Sequence, residues 1–72
     1  MNKNFKFHRL AIGGPFNGQL MHWSGDLIEY PDNVTYRAVP IRLGEDYGTV
    51  YVFRELTNEQ ALEMLQEMYL AI

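Results

Sequence analysis

The 72-residue chain contains no cysteine. Disulfide staples and thiolate zinc sites are therefore excluded, although a domain of this length buries only about 60% of its unfolded surface and commonly needs reinforcement. Association with a second copy is the expected substitute. Basic residues are also scarce, with six Lys and Arg against nine Asp and Glu and a formal charge of −3. Six scattered cations make no stripe that releases counterions from phosphates, so nucleic acid is not an expected partner. The net charge is nevertheless too small for a mimic of DNA. No run approaches the roughly 20 apolar residues of a membrane span, and no apolar stretch follows Lys3 and Lys6. The expectation is a cytoplasmic protein that does not engage membranes.

Catalytic groups are as thin. Ser24 is the only serine, it sits in a turn-forming stretch, and no histidine or acid is spaced to activate it. His8 and His22 fall on different expected strands and show no metal-ligand spacing. No catalytic residue, metal site or cofactor is assigned, and the chain is not expected to be an enzyme.

What the sequence does hold is a β-rich front and a helical end. The alternation of Phe5, Phe7, Arg9 and Ala11 with Lys6, His8, Leu10 and Ile12 predicts a first strand, stopped by Gly13-Gly14-Pro15-Phe16-Asn17-Gly18. Leu20–Trp23 and Leu27–Tyr30, separated by Ser24-Gly25-Asp26, read as a tight hairpin. After Pro31-Asp32-Asn33, the segment from Val34 to Val39 reads as a strand that Pro40 ends or places at an edge, with Ile41-Arg42-Leu43 continuing it past a bulge. Gly44 to Gly48 reads as a loop. Thr49–Arg54, nearly all β-branched or aromatic, is the strongest strand signal and the expected centre of the sheet.

Thr57 followed by Gln60 forms a capping-box pattern, with Leu56 as the hydrophobic residue before it, so a helix is expected over about 57–72. Short connections favour antiparallel pairing. The expected fold is one α+β domain over 1–72: a twisted antiparallel sheet of four to five strands within 4–54, as a meander or SH3-like half-barrel, followed by one C-terminal amphipathic helix.

That helix has a wide apolar arc, and its flank with Met64, Met68 and Ile72 exceeds what a small sheet needs. Either a second copy covers it, giving a homo-oligomer, preferably a dimer, or the sheet curls round the helix and hides the arc. The opposite stripe aligns Glu59, Glu63 and Glu67 at i, i+4 spacing. Residues 55–72 carry four acidic and no basic side chains, so this ridge is either a solvated face or a surface for a basic partner. The glycine-rich hexad superficially matches phosphate loops but lacks a Lys-Ser/Thr end and loses an amide to Pro15, which favours a structural turn. Of the aromatic and arginine residues, Trp23, Arg42 and Tyr47 are flanked by turns and are the expected exposed binding residues.

The run Ile12-Gly13-Gly14-Pro15-Phe16-Asn17-Gly18-Gln19, followed by Tyr30-Pro31, Tyr36-Arg37 and Tyr51-Val52-Phe53, resembles short proteins of tailed phages and prophages with an N-terminal Gly-Gly-Pro-x-Asp/Asn-Gly-Gln motif. The likeness spans about two thirds of the chain, excludes the helix, and carries over no activity or site residue. It implies an accessory factor that binds and inhibits a host defence or regulatory protein. Two alternatives remain open: an oligomeric sponge that holds a nucleotide signal by stacking and arginine contacts, and a virion or morphogenesis component.

Overall fold

The computed structural model describes residues 7–70, with side chains through Met68. It contains β1 (Ala11–Ile12), β2 (Leu27–Tyr30), β3 (Val34–Leu43), β4 (Asp46–Phe53) and α1 (Asn58–Leu70). The strands form one open sheet in the order β1-β4-β3-β2. The fold class is α+β as expected, with four strands, and the β-branched, aromatic β4 lies inside the sheet. β2, β3 and β4 form an antiparallel meander, whereas β1 pairs with β4 in parallel through Ala11↔Tyr51 and Ile12↔Val52.

This parallel pair corrects the all-antiparallel expectation, and it has consequences for the rest of the chain. Because β1 and β2 stand at opposite edges of the order β1-β4-β3-β2, 13–26 has to travel from one edge of the sheet to the other. Leu20–Trp23 accordingly does not form a hairpin with Leu27–Tyr30. It makes one isolated bridge, Leu10↔Leu20, and β2 pairs instead with Val34–Arg37 across the Pro31-Asp32-Asn33 turn. The first strand is also shorter than its alternation suggests, since Arg9 takes a left-handed φ of 67°; Phe5 and Lys6 lie outside the described residues.

The second hairpin is longer than expected. Register runs unbroken from Tyr36↔Phe53 to Leu43↔Asp46, with no bulge at Pro40. Gly44-Glu45 is a two-residue turn with positive φ at Gly44 alone, the pattern of a type II′ turn whose twist matches the strands. Asp46, Tyr47 and Gly48 are therefore strand, not loop. Pro40 is accommodated because its nitrogen points to the open edge of β3, where no ladder bond is lost.

Alternation sends successive side chains to opposite faces, and both faces are covered. On one, Ile12, Val39, Val50 and Val52 join Phe7 and the helix residues Ala61 and Leu65 in a core. On the other, Ala11, Tyr36 and Tyr51 are fully buried beneath Phe16, Met21 and Tyr30. Each large side chain so buried contributes about 1.5–3 kcal/mol.

The helix starts as its sequence specifies. Gln60 N–H donates to Thr57 Oγ1 at 3.0 Å and Thr57 N–H to Gln60 Oε1 at 2.9 Å, a reciprocal capping box. Arg37 ties this start to the sheet by donating to the Leu56 carbonyl and to Asn58 Oδ1, both at 2.7 Å.

Candidate functional site

The second face of the sheet carries the features with chemical potential, and it begins with the hexad. Gly14 has φ +67°, and a Cβ there would stand 2.5 Å from both Phe53 Cδ1 and Tyr36 Oη; only glycine permits this approach. The loop spends its amides internally. Gly13 N–H donates to Asn17 Oδ1 at 2.7 Å, Phe16 N–H to Tyr36 Oη at 3.0 Å, and Gly18 N–H to the Ala11 carbonyl at 2.8 Å. A phosphate cradle needs such amides unpaired, so the hexad is a structural turn. Its Phe16 ring packs on Tyr30 with centroids 4.9 Å apart and on Tyr36 at 5.9 Å.

Residues 19–21 then run back beside the first strand, with Ala11 N–H to the Gln19 carbonyl and Met21 N–H to the Arg9 carbonyl, each 2.8 Å. From there 22–26 crosses the sheet. Two tyrosine hydroxyls pin the crossing segment, each acting as donor and acceptor. Tyr36 Oη donates to the Gly13 carbonyl at 2.6 Å and accepts from Phe16 N–H. Tyr51 Oη donates to the Gly25 carbonyl at 2.9 Å and accepts from Ser24 N–H at 3.0 Å. Burial pushes the Tyr36 phenol above its ordinary value of 10.0; the Phe16 bond opposes this and nearby Tyr30 adds to it. Ser24 Oγ donates to the His22 carbonyl at 3.3 Å, a turn-stabilising bond.

Trp23 lies on this crossover with its ring 5.9 Å from that of Tyr51, and it remains 54% exposed. An indole held at its base and open above is the form of a binding hot spot. Beyond the crossover, the outer part of the β3–β4 hairpin extends past β2, and Arg42 and Tyr47 face each other across it in register. Both are exposed. They line a cavity of about 350 Å³ together with His8, Pro40, Gly48 and Thr49. His8 accepts the Thr49 N–H at Nδ1, 3.1 Å away, which fixes its ring against the edge of β4. It packs so closely on Gly48 that a Cβ there would lie 3.2 Å from its backbone.

The expected binding residues thus divide. Trp23, Arg42 and Tyr47 lie on one sheet face, Arg42 and Tyr47 by strand alternation and Trp23 by its contact with Tyr51. Glu59, Glu63 and Glu67 are exposed on the other side, along α1. His8 and His22 line different cavities and are not brought together. Among the described residues no three His, Asp or Glu side chains form a metal-sized group, and no helix is long and apolar enough to cross a membrane. Met64 and Met68 are half-buried against the helix-side core, while Ile72 lies outside the described residues. Sequence reading missed His8 and Thr49 as cavity residues. Strand alternation places Thr49 beside Tyr47, but only the parallel β1–β4 pairing brings His8 alongside. The chain matches no protein-family model, and no curated protein or solved structure shows significant similarity to it.

Proposed function

We propose that this protein acts by stoichiometric binding rather than catalysis, and that it is a phage-type accessory protein inhibiting a host defence or regulatory protein. The observation that carries this reading is the half-exposed Trp23, seated on the buried Tyr51 and held in place by the same hydroxyl that fixes the crossover. A preorganised aromatic anchor costs little entropy on binding, and with Leu20, 65% exposed on the same segment, it offers a partner an apolar centre. The polar rim would come from Arg42 and Tyr47. The acidic ridge of Glu59, Glu63 and Glu67 supplies a second, charged contact suited to a basic surface. The Met64–Met68 flank, only half covered by its own sheet, supports pairing of two copies along α1, which light scattering reads directly as a doubled mass.

Co-purification from a bacterial lysate tests the reading, with the captured protein identified and its ratio to the bait measured. One host protein at equimolar ratio, held at least about tenfold more weakly by Trp23→Ala, is the expected result. Glu63→Lys separates the two surfaces, since a ridge-bound partner is lost with it and an anchor-bound partner is not. No equimolar partner for the wild type, or one held equally by both variants, contradicts the proposal.

A further inference from the structure

The cavity on the hairpin has a chemistry distinct from the Trp23 anchor. Four of its lining side chains, Pro40, Arg42, Tyr47 and Thr49, belong to the same sheet face by alternation, two from each strand. Pro40 pairs with Thr49 and Arg42 with Tyr47, so Pro40 and Tyr47 are diagonal neighbours. Diagonal positions lie roughly 7–8 Å apart. At that spacing the proline and phenol side chains lie side by side in the floor of the cavity and offer one apolar surface on which an aromatic ring can stack.

Arg42 stands at the same mouth. Its Nε donates to the Gly44 carbonyl at 3.2 Å. That bond anchors the guanidinium by its inner nitrogen and leaves the terminal N–H groups as a fork suited to a phosphate or carboxylate. The Thr49 hydroxyl supplies a neutral polar contact in the floor, and His8, held by the Thr49 amide, forms the far wall. At about 350 Å³ the space falls at the small end of the roughly 300–1,000 Å³ typical of small-molecule clefts. The lining thus offers one guanidinium, one phenol face, a proline, an isoleucine and a histidine, and no carboxylate. Sugars would want more polar groups, and a wholly apolar ligand would leave the guanidinium without a partner.

We infer that this cavity is a small-molecule site for an aromatic ring bearing a phosphate, a ligand of mononucleotide size, with the ring on the Tyr47 and Pro40 surface and the phosphate on Arg42. The site is complete within one copy of the chain and does not use Trp23. It shares Arg42 and Tyr47 with the rim of the protein-binding surface, so Trp23→Ala, which removes the anchor and spares the cavity, tells the failure of one reading from the failure of the other.

The test is an amide-shift titration of the isolated, isotope-labelled chain with adenosine monophosphate, adenosine and inorganic phosphate. The monophosphate shifts the amides of Arg42, Tyr47, Gly48 and Thr49 and the Arg42 Nε–H, saturably, and binds at least about fivefold more tightly than adenosine or phosphate alone. Arg42→Gln weakens it by about tenfold and removes most of its salt dependence, while Tyr47→Ala removes the advantage over inorganic phosphate. Both positions are exposed, and unchanged Tyr36 and Tyr51 resonances verify folding. No saturable shift at about 10 mM monophosphate, a range that still detects millimolar binding, overturns the inference. So does equal affinity in Arg42→Gln, or inorganic phosphate binding as tightly as the nucleotide.

Discussion

At the scale of single residues, the two buried tyrosines decide where the chain goes. Phenylalanine fits either ring position but offers no hydroxyl. Tyr36→Phe leaves the Gly13 carbonyl and the Phe16 amide without a partner in a buried place, and should cost about 1–3 kcal/mol in denaturant unfolding. Tyr51→Phe strands groups nearer the surface and should cost less, about 0.5–1.5 kcal/mol. The Tyr36 phenol also ties stability to alkaline pH. Its folded value lies above 10.0, so the unfolded chain loses the proton first. Stability is then fully present below about pH 10 and falls as pH rises through the folded value. Unfolding midpoints measured from pH 8 to 11 should show this fall in the wild type and less of it in Tyr36→Phe; an identical slope in both contradicts the assignment. Glycines obey the same local reasoning. Gly14→Ala meets Phe53 and Tyr36 and should cost well over 2 kcal/mol, whereas Gly18→Ala, with nothing within 4 Å of its new Cβ, should cost only the left-handed strain of about 1–2 kcal/mol.

At the scale of elements, the helix was the most legible part of the sequence. Its cap and the Leu56 contact depend only on neighbours within one turn, so Thr57-x-x-Gln60 announces them. Thr57→Ala should lower stability by about 1 kcal/mol, read as a shift in the midpoint of helix-monitored thermal unfolding; no shift would mean that the reciprocal bonds carry nothing. The β3–β4 hairpin was half legible. Thr49–Phe53 has the β-branched density of an inner strand, but Asp46, Tyr47 and Gly48 have loop-like composition and become strand only because Gly44-Glu45 closes a tight turn in register. The segment Leu20–Trp23 departs from its expected hairpin for a related reason. Its apolar residues satisfy the pattern of an edge strand, yet they are drawn across the sheet by Tyr51, 27 or so positions away in sequence, and no local pattern encodes such a partner. Trp23, Arg42 and Tyr47 could be singled out because turns flank them; the cavity that joins two of them to His8 could not, since it depends on which strand lies beside β4.

At the scale of the whole molecule, the sheet is sandwiched between a helix on one side and an irregular crossover on the other. A chain this short has no second helix to spare, so its second face is closed by backbone that has to find hydrogen bonds outside any ladder. The tyrosine hydroxyls provide them, and the Gly-Gly-Pro turn brings the crossover close enough to reach. The same arrangement leaves Trp23 on the outside of the crossover and leaves the hairpin tip uncovered, where the proposed binding surfaces lie. The acidic stripe of the helix lies on the other side of the sheet.

Everything on the second face of the sheet depends on the bonds that fix the crossover through Tyr36 and Tyr51. Amide hydrogen exchange of the folded protein tests it most directly, because Phe16 and Ser24 lie in no strand or helix and their N–H groups are bonded only to those hydroxyls. Both amides should exchange orders of magnitude more slowly than unprotected ones, with Tyr51→Phe releasing Ser24 and Tyr36→Phe releasing Phe16. Unprotected exchange at both positions in the wild type, with the strand amides still protected, would contradict it.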